Sequence, residues 1–199
     1  MSAVAEQALW ALGRGTGVVA LVLMTISVVL GIATRSGREI AGWGRFGVNE
    51  IHRAAALMAT GLVVVHLGSL LLDPYAQLRW FDVVVPFAGR FRPVWQGLGT
   101  LAVDLLVVVM LTSLLRRHVG PRVFRAVHWA TYALWPLVVG HAIGNGTDGR
   151  SWWLLALAGV CVVAVGSAVA WRLLPGFADR GHRGVRIPRQ VPARAGRQA

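Results

Sequence analysis

The histidines are the residues of this chain with the clearest capacity for chemistry. Six occur among 199 residues: His52, His66, His118, His128, His141 and His182. Four of them form two similarly spaced pairs, because His52 and His66 are 14 residues apart and His128 and His141 are 13 apart. Imidazoles ligate metals or transfer protons. The one cysteine, Cys161, excludes an internal disulfide framework, a covalent CxxCH attachment site and sites built from several cysteines.

Long apolar segments must position these histidines. The chain is 56% hydrophobic and only 14% charged, which is too apolar for a water-soluble domain of this size. A helix needs roughly 20 apolar residues to cross the hydrocarbon core, and its backbone must satisfy its own polar groups there. Five segments qualify: 16–34, 52–72, 97–115, 126–144 and 152–171. The sequence therefore predicts an all-α integral membrane bundle of five transmembrane helices.

Three regions are expected along the chain. Residues 1–15 form an outer N-terminal segment, residues 16–174 form the five-span domain and residues 175–199 form a cytoplasmic tail. The tail is rich in Arg, Pro and Gly and has no apolar periodicity. We therefore expect it to be disordered and to bind anionic lipid head groups.

The arginines predict the orientation in the membrane. All 20 basic residues are arginine, and the formal net charge is +12. Fifteen arginines follow the first, third and fifth segments, and five lie at the opposite ends. By the positive-inside rule, the N-terminus lies outside and the C-terminus lies in the cytoplasm. The composition is typical of a GC-rich bacterial genome, so we expect a multi-pass protein of the bacterial cell membrane that binds no nucleic acid.

This topology places the paired histidines at two levels. Spans two and four both run outward, so His52 and His128 lie near the cytoplasmic face. His66 and His141 lie about 20 Å further out, at about 1.5 Å per residue. Two imidazoles on facing helices can serve as the two axial ligands of a b-type haem. A zinc site would instead need three or four ligands around one point. The sequence predicts two stacked haems with bis-histidine iron ligation; structural or proton-relay histidines are the alternative.

The spacing in the fourth segment requires an irregular helix. Fourteen residues are nearly four turns, so His52 and His66 share a face, but 13 residues leave His128 and His141 about 140° out of phase. Pro136 lies between them, and proline removes a backbone hydrogen bond. We expect a kink at Pro136 to bring both histidines to the facing helix.

Several other residues are candidates for supporting roles. Arg53 and Arg125 could pair with the carboxylates of the inner haem, and Arg90 or Arg92 with those of the outer one. Asp104, inside the third span, could orient a histidine or carry protons. Four small residues near the outer histidines either leave room for a macrocycle or pack against other helices: Gly61, Gly68, Gly140 and Gly144.

The outer segment 73–96 is rich in aromatic residues, so we expect it on the membrane surface. It could cover an outward-facing site or form an interfacial aromatic belt. Asp73 and Asp148 each follow an outer histidine by seven residues. They could bind a cation or attract an electron acceptor, although loop capping is the simpler explanation.

The chain resembles the ferric reductase-like transmembrane domain. The resemblance covers roughly residues 16–171 and is carried by IHRAAALMATGLVVVHLGSLLLDPY, PVWQGLGTLAVDLLVVVMLTSLLRR and FRAVHWATYALWPLVVGHAIGNGTD. The family includes NADPH oxidases, ferric reductases and the haem-binding membrane subunit of bacterial methionine sulfoxide reductase. For the oxidase type it implies an inner haem on His52 and His128 and an outer haem on His66 and His141.

The resemblance has limits that shape the expected function. Oxidase-type members have six spans and a flavin- and NADPH-binding domain, whereas this sequence shows five spans and no nucleotide-binding motif. We expect an oxidoreductase component that takes electrons from a separate flavoprotein or quinol and passes them to an outer acceptor. The alternatives are a single-haem membrane subunit of an outer reductase and a haem-free, proton-coupled transporter that uses His66, His141 and Asp104.

Overall fold

The chain folds into a set of helices in the computed structural model, which describes residues 3–36, 42–146, 148–175 and 177. The helices are α1 (Ala3–Ser36), α2 (Arg45–Leu72), α3 (Trp80–Val84), α4 (Pro93–Leu114), α5 (Arg116–Trp129), α6 (Thr131–Asn145) and α7 (Trp152–Leu173). The all-α class is therefore confirmed. The predicted basic tail, with His182, falls almost entirely outside the described residues.

Among the described residues, four helices are long and apolar enough to cross a membrane: α1, α2, α4 and α7. They correspond to the first, second, third and fifth predicted spans, which makes this a multi-pass membrane protein. The fourth predicted span falls on the end of α5 and on α6, and α6 has only 15 residues. The N-terminal segment is helical from Ala3 and continues into the first span.

The helices pack in two main pairs. α1 lies antiparallel to α2, because Gly31 of α1 lies beside His52 and Gly17 lies beside His66. α4 packs against α6, and α1 also contacts α6 and α7. The central core is formed by small and aliphatic side chains from five helices around Trp135, whose indole N–H donates to Thr25 Oγ1 at 3.0 Å.

The interruption between His128 and His141 lies at Ala130, and the predicted position at Pro136 was wrong. α5 ends at Trp129 and α6 begins at Thr131. The Ala130 N–H donates to the Val127 carbonyl at 2.9 Å, a three-residue turn that is tighter than an α-helical turn. Pro136 lies inside α6, which continues on both sides of it. The two histidines therefore belong to different helices, and their phase is not that of one regular helix.

We call the end of the bundle where α2 and α6 finish and α4 and α7 begin the loop end. The segment between α2 and α4 is held against it by specific contacts. The Thr100 hydroxyl donates to the carbonyl of Asp82 at 2.7 Å, and the Phe87 ring lies on Gly97, where a Cβ would come within 2.2 Å of it. Trp80 and Phe81 point outward and are exposed. The segment is therefore both a cover over the bundle and a source of exposed aromatic side chains.

Candidate functional site: two histidine pairs

The fold brings the four span histidines together in two pairs. The ring centroids of His52 and His128 are 6.3 Å apart, with the ring planes at 77°. Those of His66 and His141 are 6.5 Å apart, at 87°. These are the pairings that the predicted topology requires. Because His52 and His66 lie on one continuous helix, the two pairs are separated by about 20 Å along the bundle.

The separation within each pair fits a metal ion between two imidazoles. A ligating nitrogen lies about 2 Å from the metal and about 1.2 Å from the centre of its own ring, so two opposed rings have centroids about 6.4 Å apart. Both pairs are close to this value. Among the described residues, no cluster of three or more metal-ligating side chains occurs. Each pair thus offers two protein ligands, which suits a metal whose remaining positions are filled by a macrocycle.

Hydrogen bonds fix the orientation of three of the four imidazoles. Nδ1 of His66 lies 2.7 Å from the Gly13 carbonyl oxygen, and Nδ1 of His52 lies 2.8 Å from that of Ser27. Nδ1 of His141 lies 2.9 Å from the carbonyl oxygen of Trp95. Because a carbonyl only accepts, Nδ1 carries the proton in each ring and the lone pair lies on Nε2. This arrangement is typical of metal-ligating histidines.

Each of these three carbonyls is followed four residues later by a glycine that touches the same ring. A Cβ on Gly17 would lie 3.1 Å from Nδ1 of His66, one on Gly31 would lie 3.2 Å from Cε1 of His52, and one on Gly99 would lie 2.5 Å from Nδ1 of His141. We call these contacts the carbonyl–glycine pairs: Gly13 with Gly17, Ser27 with Gly31, and Trp95 with Gly99. Two lie on α1 and one lies on α4.

Helix geometry explains the four-residue spacing. A helical side chain covers the surface of the turn before it, so a residue at i+4 covers the carbonyl of residue i. Glycine at i+4 leaves that carbonyl open, and its oxygen has a second lone pair beside the one used within the helix. The imidazole can therefore lie flat on the helix and donate to it. The 14-residue spacing of Gly17 and Gly31 matches that of His52 and His66 on the antiparallel helix.

These glycines were not predicted from the sequence, and the four that were predicted do not touch the histidine rings. Gly61 and Gly68 have nothing within 4 Å of an added Cβ. Gly144 accommodates the ring of Trp95, and Gly140 faces Leu98. One feature of the sequence could have predicted two of them. Gly17 and Gly31 on α1 have the same 14-residue spacing as His52 and His66 on the next span.

His128 differs from the other three histidines. Its Nδ1 is buried and has no hydrogen-bond partner among the described residues. Its ring stacks on Phe124 of the same helix, with centroids 5.3 Å apart. Packing therefore holds this imidazole, and no carbonyl fixes its orientation.

A cavity of about 450 Å³ opens beside the His66–His141 pair. Its lining includes His66, His141 and two of the glycines described above, Gly17 and Gly99. Leu78 and Phe91 of the segment between α2 and α4 also line it. That segment therefore covers a cavity that contains one histidine pair, and the volume is in the range of small-molecule and cofactor sites.

The other predicted site residues have varied surroundings. Arg53 is exposed, and Arg125 Nε donates to the Pro121 carbonyl at 3.2 Å. Asp104 is half-buried on α4 and makes no hydrogen bond or ion pair within the described part of the chain. His118 is exposed on α5. Arg92 donates to the Gly144 carbonyl at 2.8 Å, which ties the start of α4 to the end of α6.

Charged residues close the loop end of the bundle. Arg14 of α1 forms an ion pair with Asp148, and its guanidinium lies over the rings of Trp10 and Trp153. Asp73 follows α2 and accepts a hydrogen bond from the Tyr75 N–H at 2.9 Å. Asp73 thus forms a local turn and Asp148 an ion pair.

A third acidic residue at this end, Asp82, forms an ion pair with an arginine. Asp82 is 2% exposed and accepts hydrogen bonds from Arg79 Nε at 3.0 Å and Nη2 at 2.6 Å. The Arg79 side chain lowers the pKa of Asp82 through these hydrogen bonds, which outweigh the opposing effect of burial. The carboxylate therefore stays ionised although it is buried.

A helical membrane bundle with two levels of paired imidazoles is the architecture of haem-binding membrane proteins. The family model described as "Ferric reductase like transmembrane component" matches residues 16–139, and the chain belongs to this family of membrane haem electron-transfer proteins. The match includes His52, His66 and His128 and ends two residues before His141. No curated protein and no solved structure shows a significant match to the chain.

Proposed function

We propose that this chain passes single electrons across the membrane through two b-type haems. His52 and His128 hold one, and His66 and His141 hold the other. The observation that carries the proposal is the pair of imidazole separations, 6.3 and 6.5 Å, at two levels of one bundle. Three hydrogen bonds to backbone carbonyls support it, since they leave Nε2 as the free nitrogen of each ring.

Bound haem supplies the redox chemistry, because its iron alternates between the ferric and ferrous states. The protein's contribution is positional. The carbonyl–glycine pairs hold the imidazoles at fixed rotations, and the core around Trp135 keeps water out of the centre of the bundle. The segment between α2 and α4 covers the cavity of the His66–His141 pair. Each feature reduces the rearrangement that a change in iron charge would otherwise require.

We further propose that the loop end faces outward and the C-terminal tail faces the cytoplasm of a bacterial cell. The arginine distribution supports this orientation. The last turn of α5 together with α6 then makes the fifth crossing. Arg53 and Arg125, near His52 and His128 in sequence, are proposed to interact with the carboxylates of the inner haem.

The donor in this proposal is a separate flavoprotein or membrane quinol, and the acceptor lies outside. The protein is then an oxidoreductase component that needs partners at both ends.

A single-haem membrane subunit is the second candidate. The observation in its favour is His128, whose Nδ1 has no acceptor among the described residues. A site with one weakly oriented ligand could bind haem loosely or not at all. In that case only the His66–His141 pair would hold haem.

A pyridine haemochrome assay on the purified protein tests the proposal. We expect two haems b per chain in the wild type and one in each of His66→Ala and His128→Ala. His118→Ala is the matched control, because His118 is exposed and lies outside both pairs; it should retain two. One haem per chain in the wild type, retained in His128→Ala and lost in His66→Ala, would establish the single-haem alternative. No haem after expression with ample haem would contradict both and favour a proton-coupled transporter.

A further inference from the structure

The cavity beside His66 and His141 has two chemically different ends. Toward the middle of the bundle its lining is apolar, with Leu21, Met24, Val63, Leu106 and Val138. Toward the loop end the lining becomes polar. Gln96 lies one turn before Gly99 on α4, and Asn145 lies one turn after His141 on α6, so both are about 5 Å from the imidazole level on the loop side. We call these two amide side chains the polar rim.

The polar rim contains a buried donor and a buried acceptor without partners. Gln96 is only 8% exposed, and its Nε2 has no hydrogen-bond partner in the described ranges. Oδ1 of Asn145 is buried and equally without a partner there. Both residues line the same cavity. Buried amide groups that lack partners are costly, so a native structure normally supplies a ligand or an ordered water at such positions.

Three arginines at this end already have partners, and the carboxylates of Asp73, Asp82 and Asp148 also line the cavity. Arg14 pairs with Asp148, Arg79 with Asp82, and Arg92 with the Gly144 carbonyl. Gln96 Nε2 has no partner in the described ranges and is therefore a buried donor available to a ligand in the cavity. Its amide group lies against Gly89, where an added Cβ would come 3.0 Å from Cδ.

A ligand that fits this cavity is apolar over most of its area and has oxygen acceptors along one edge. Haem b has this form, since its two propionate carboxyl groups lie on one side of the macrocycle. We propose that Gln96 donates a hydrogen bond to a propionate carboxyl group of the haem held by His66 and His141, and that this haem binds with its carboxyl edge toward the loop end. The inference rests on the proposed function and replaces Arg90 and Arg92 as the expected partners.

Two porphyrins and three variants test this assignment. The full chain is loaded with haem b or with iron etioporphyrin, which has no carboxyl groups, and loss from the His66–His141 site to excess apomyoglobin is timed. In the His128→Ala background, only the His66–His141 site is expected to hold haem. If that variant does not fold, the same rate is taken from the two kinetic phases of haem loss in the chain that keeps His128. The variants are Gln96→Leu, Gln96→Glu and, as control, Gln7→Leu, which alters an exposed glutamine on α1.

We expect Gln96→Leu to accelerate the loss of haem b about tenfold, the effect of one hydrogen bond, and to leave the loss of etioporphyrin unchanged. Gln96→Glu should accelerate the loss of haem b at least as much, because two carboxylates would then face each other. Gln7→Leu should change neither rate. Equal acceleration for both porphyrins, or none for haem b, would overturn the role of Gln96. A wild-type chain that binds neither porphyrin would instead overturn the proposed function, and this assignment with it.

Discussion

His141 lies so close to Gly99 that a Cβ at position 99 would come 2.5 Å from Nδ1 and 2.6 Å from Cε1 of the imidazole. The same nitrogen bonds to the Trp95 carbonyl one turn earlier. The ring cannot retreat without losing that bond.

Gly99→Ala should therefore weaken haem binding at the His66–His141 pair by one to two orders of magnitude, the effect of overpacking by about 1–3 kcal/mol. The haem content and its retention, measured spectroscopically, test this prediction. Gly15→Ala is the control, because nothing lies within 4 Å of the added Cβ. That substitution should preserve haem content and, through helix propensity, leave the melting temperature equal or slightly higher. Normal haem binding in Gly99→Ala would contradict the role of this contact.

The two glycines on α1 predict selective effects at the two levels. Gly17 touches His66 and Gly31 touches His52, at 3.1 and 3.2 Å for an added Cβ. Because these distances are longer than the one at Gly99, an alanine at either position should rotate the imidazole without causing loss of the haem. Gly17→Ala should shift the spectrum and potential of only the haem at His66, and Gly31→Ala only those at His52. Low-temperature electron paramagnetic resonance of the ferric protein resolves the two signals. A shift of both signals by either variant would indicate a general packing defect.

The unequal hydrogen bonding of the histidines predicts unequal redox potentials. His66 and His141 both donate from Nδ1 to a carbonyl, whereas only His52 does so in the other pair. Such a bond makes the imidazole a more basic ligand, which stabilises ferric iron and lowers the potential. The haem at His52 and His128 should therefore have the higher midpoint potential. Potentiometric titration of the wild type tests the order of the two midpoint potentials, and the variants His66→Ala and His128→Ala assign each potential to its haem. A higher potential at the His66–His141 haem would contradict the prediction.

The clamp between Arg79 and Asp82 predicts a pH-dependent contribution to stability. The pKa of Asp82 is lower in the folded protein than in the unfolded chain, because Arg79 donates hydrogen bonds to its carboxylate. Its contribution is therefore fully present above the unfolded value of about 4 and is lost as the pH falls through the lower folded value. Asp82→Asn should lower the melting temperature in detergent at pH 6. The difference in melting temperature between this variant and the wild type should become smaller below about pH 4. Arg79→Gln should show the same pH dependence. A difference in melting temperature that stays constant with pH would exclude an ionic contribution.

Much of the architecture could be predicted because it is encoded locally. The apolar segments define α1, α2, α4 and α7, since the length of a span follows from the thickness of the hydrocarbon core. The pairing of His52 with His128 and of His66 with His141 follows from the segment order and the histidine spacing. The break in the fourth segment was anticipated from the phase of its histidines, but its position at Ala130 depends on backbone hydrogen bonds that no proline marks.

The sequence by itself determined that this is a helical membrane protein with two levels of histidines, because hydropathy and helical periodicity act along the chain. Only the tertiary structure decided how each imidazole is held. Gly31 lies beside His52 across an antiparallel helix pair, and Gly99 and the Trp95 carbonyl meet His141 from α4. Such contacts join residues that are distant in sequence, and a glycine in a membrane helix has the same local pattern whether it faces a ligand or lipid. Its partner exists only once the helices have packed.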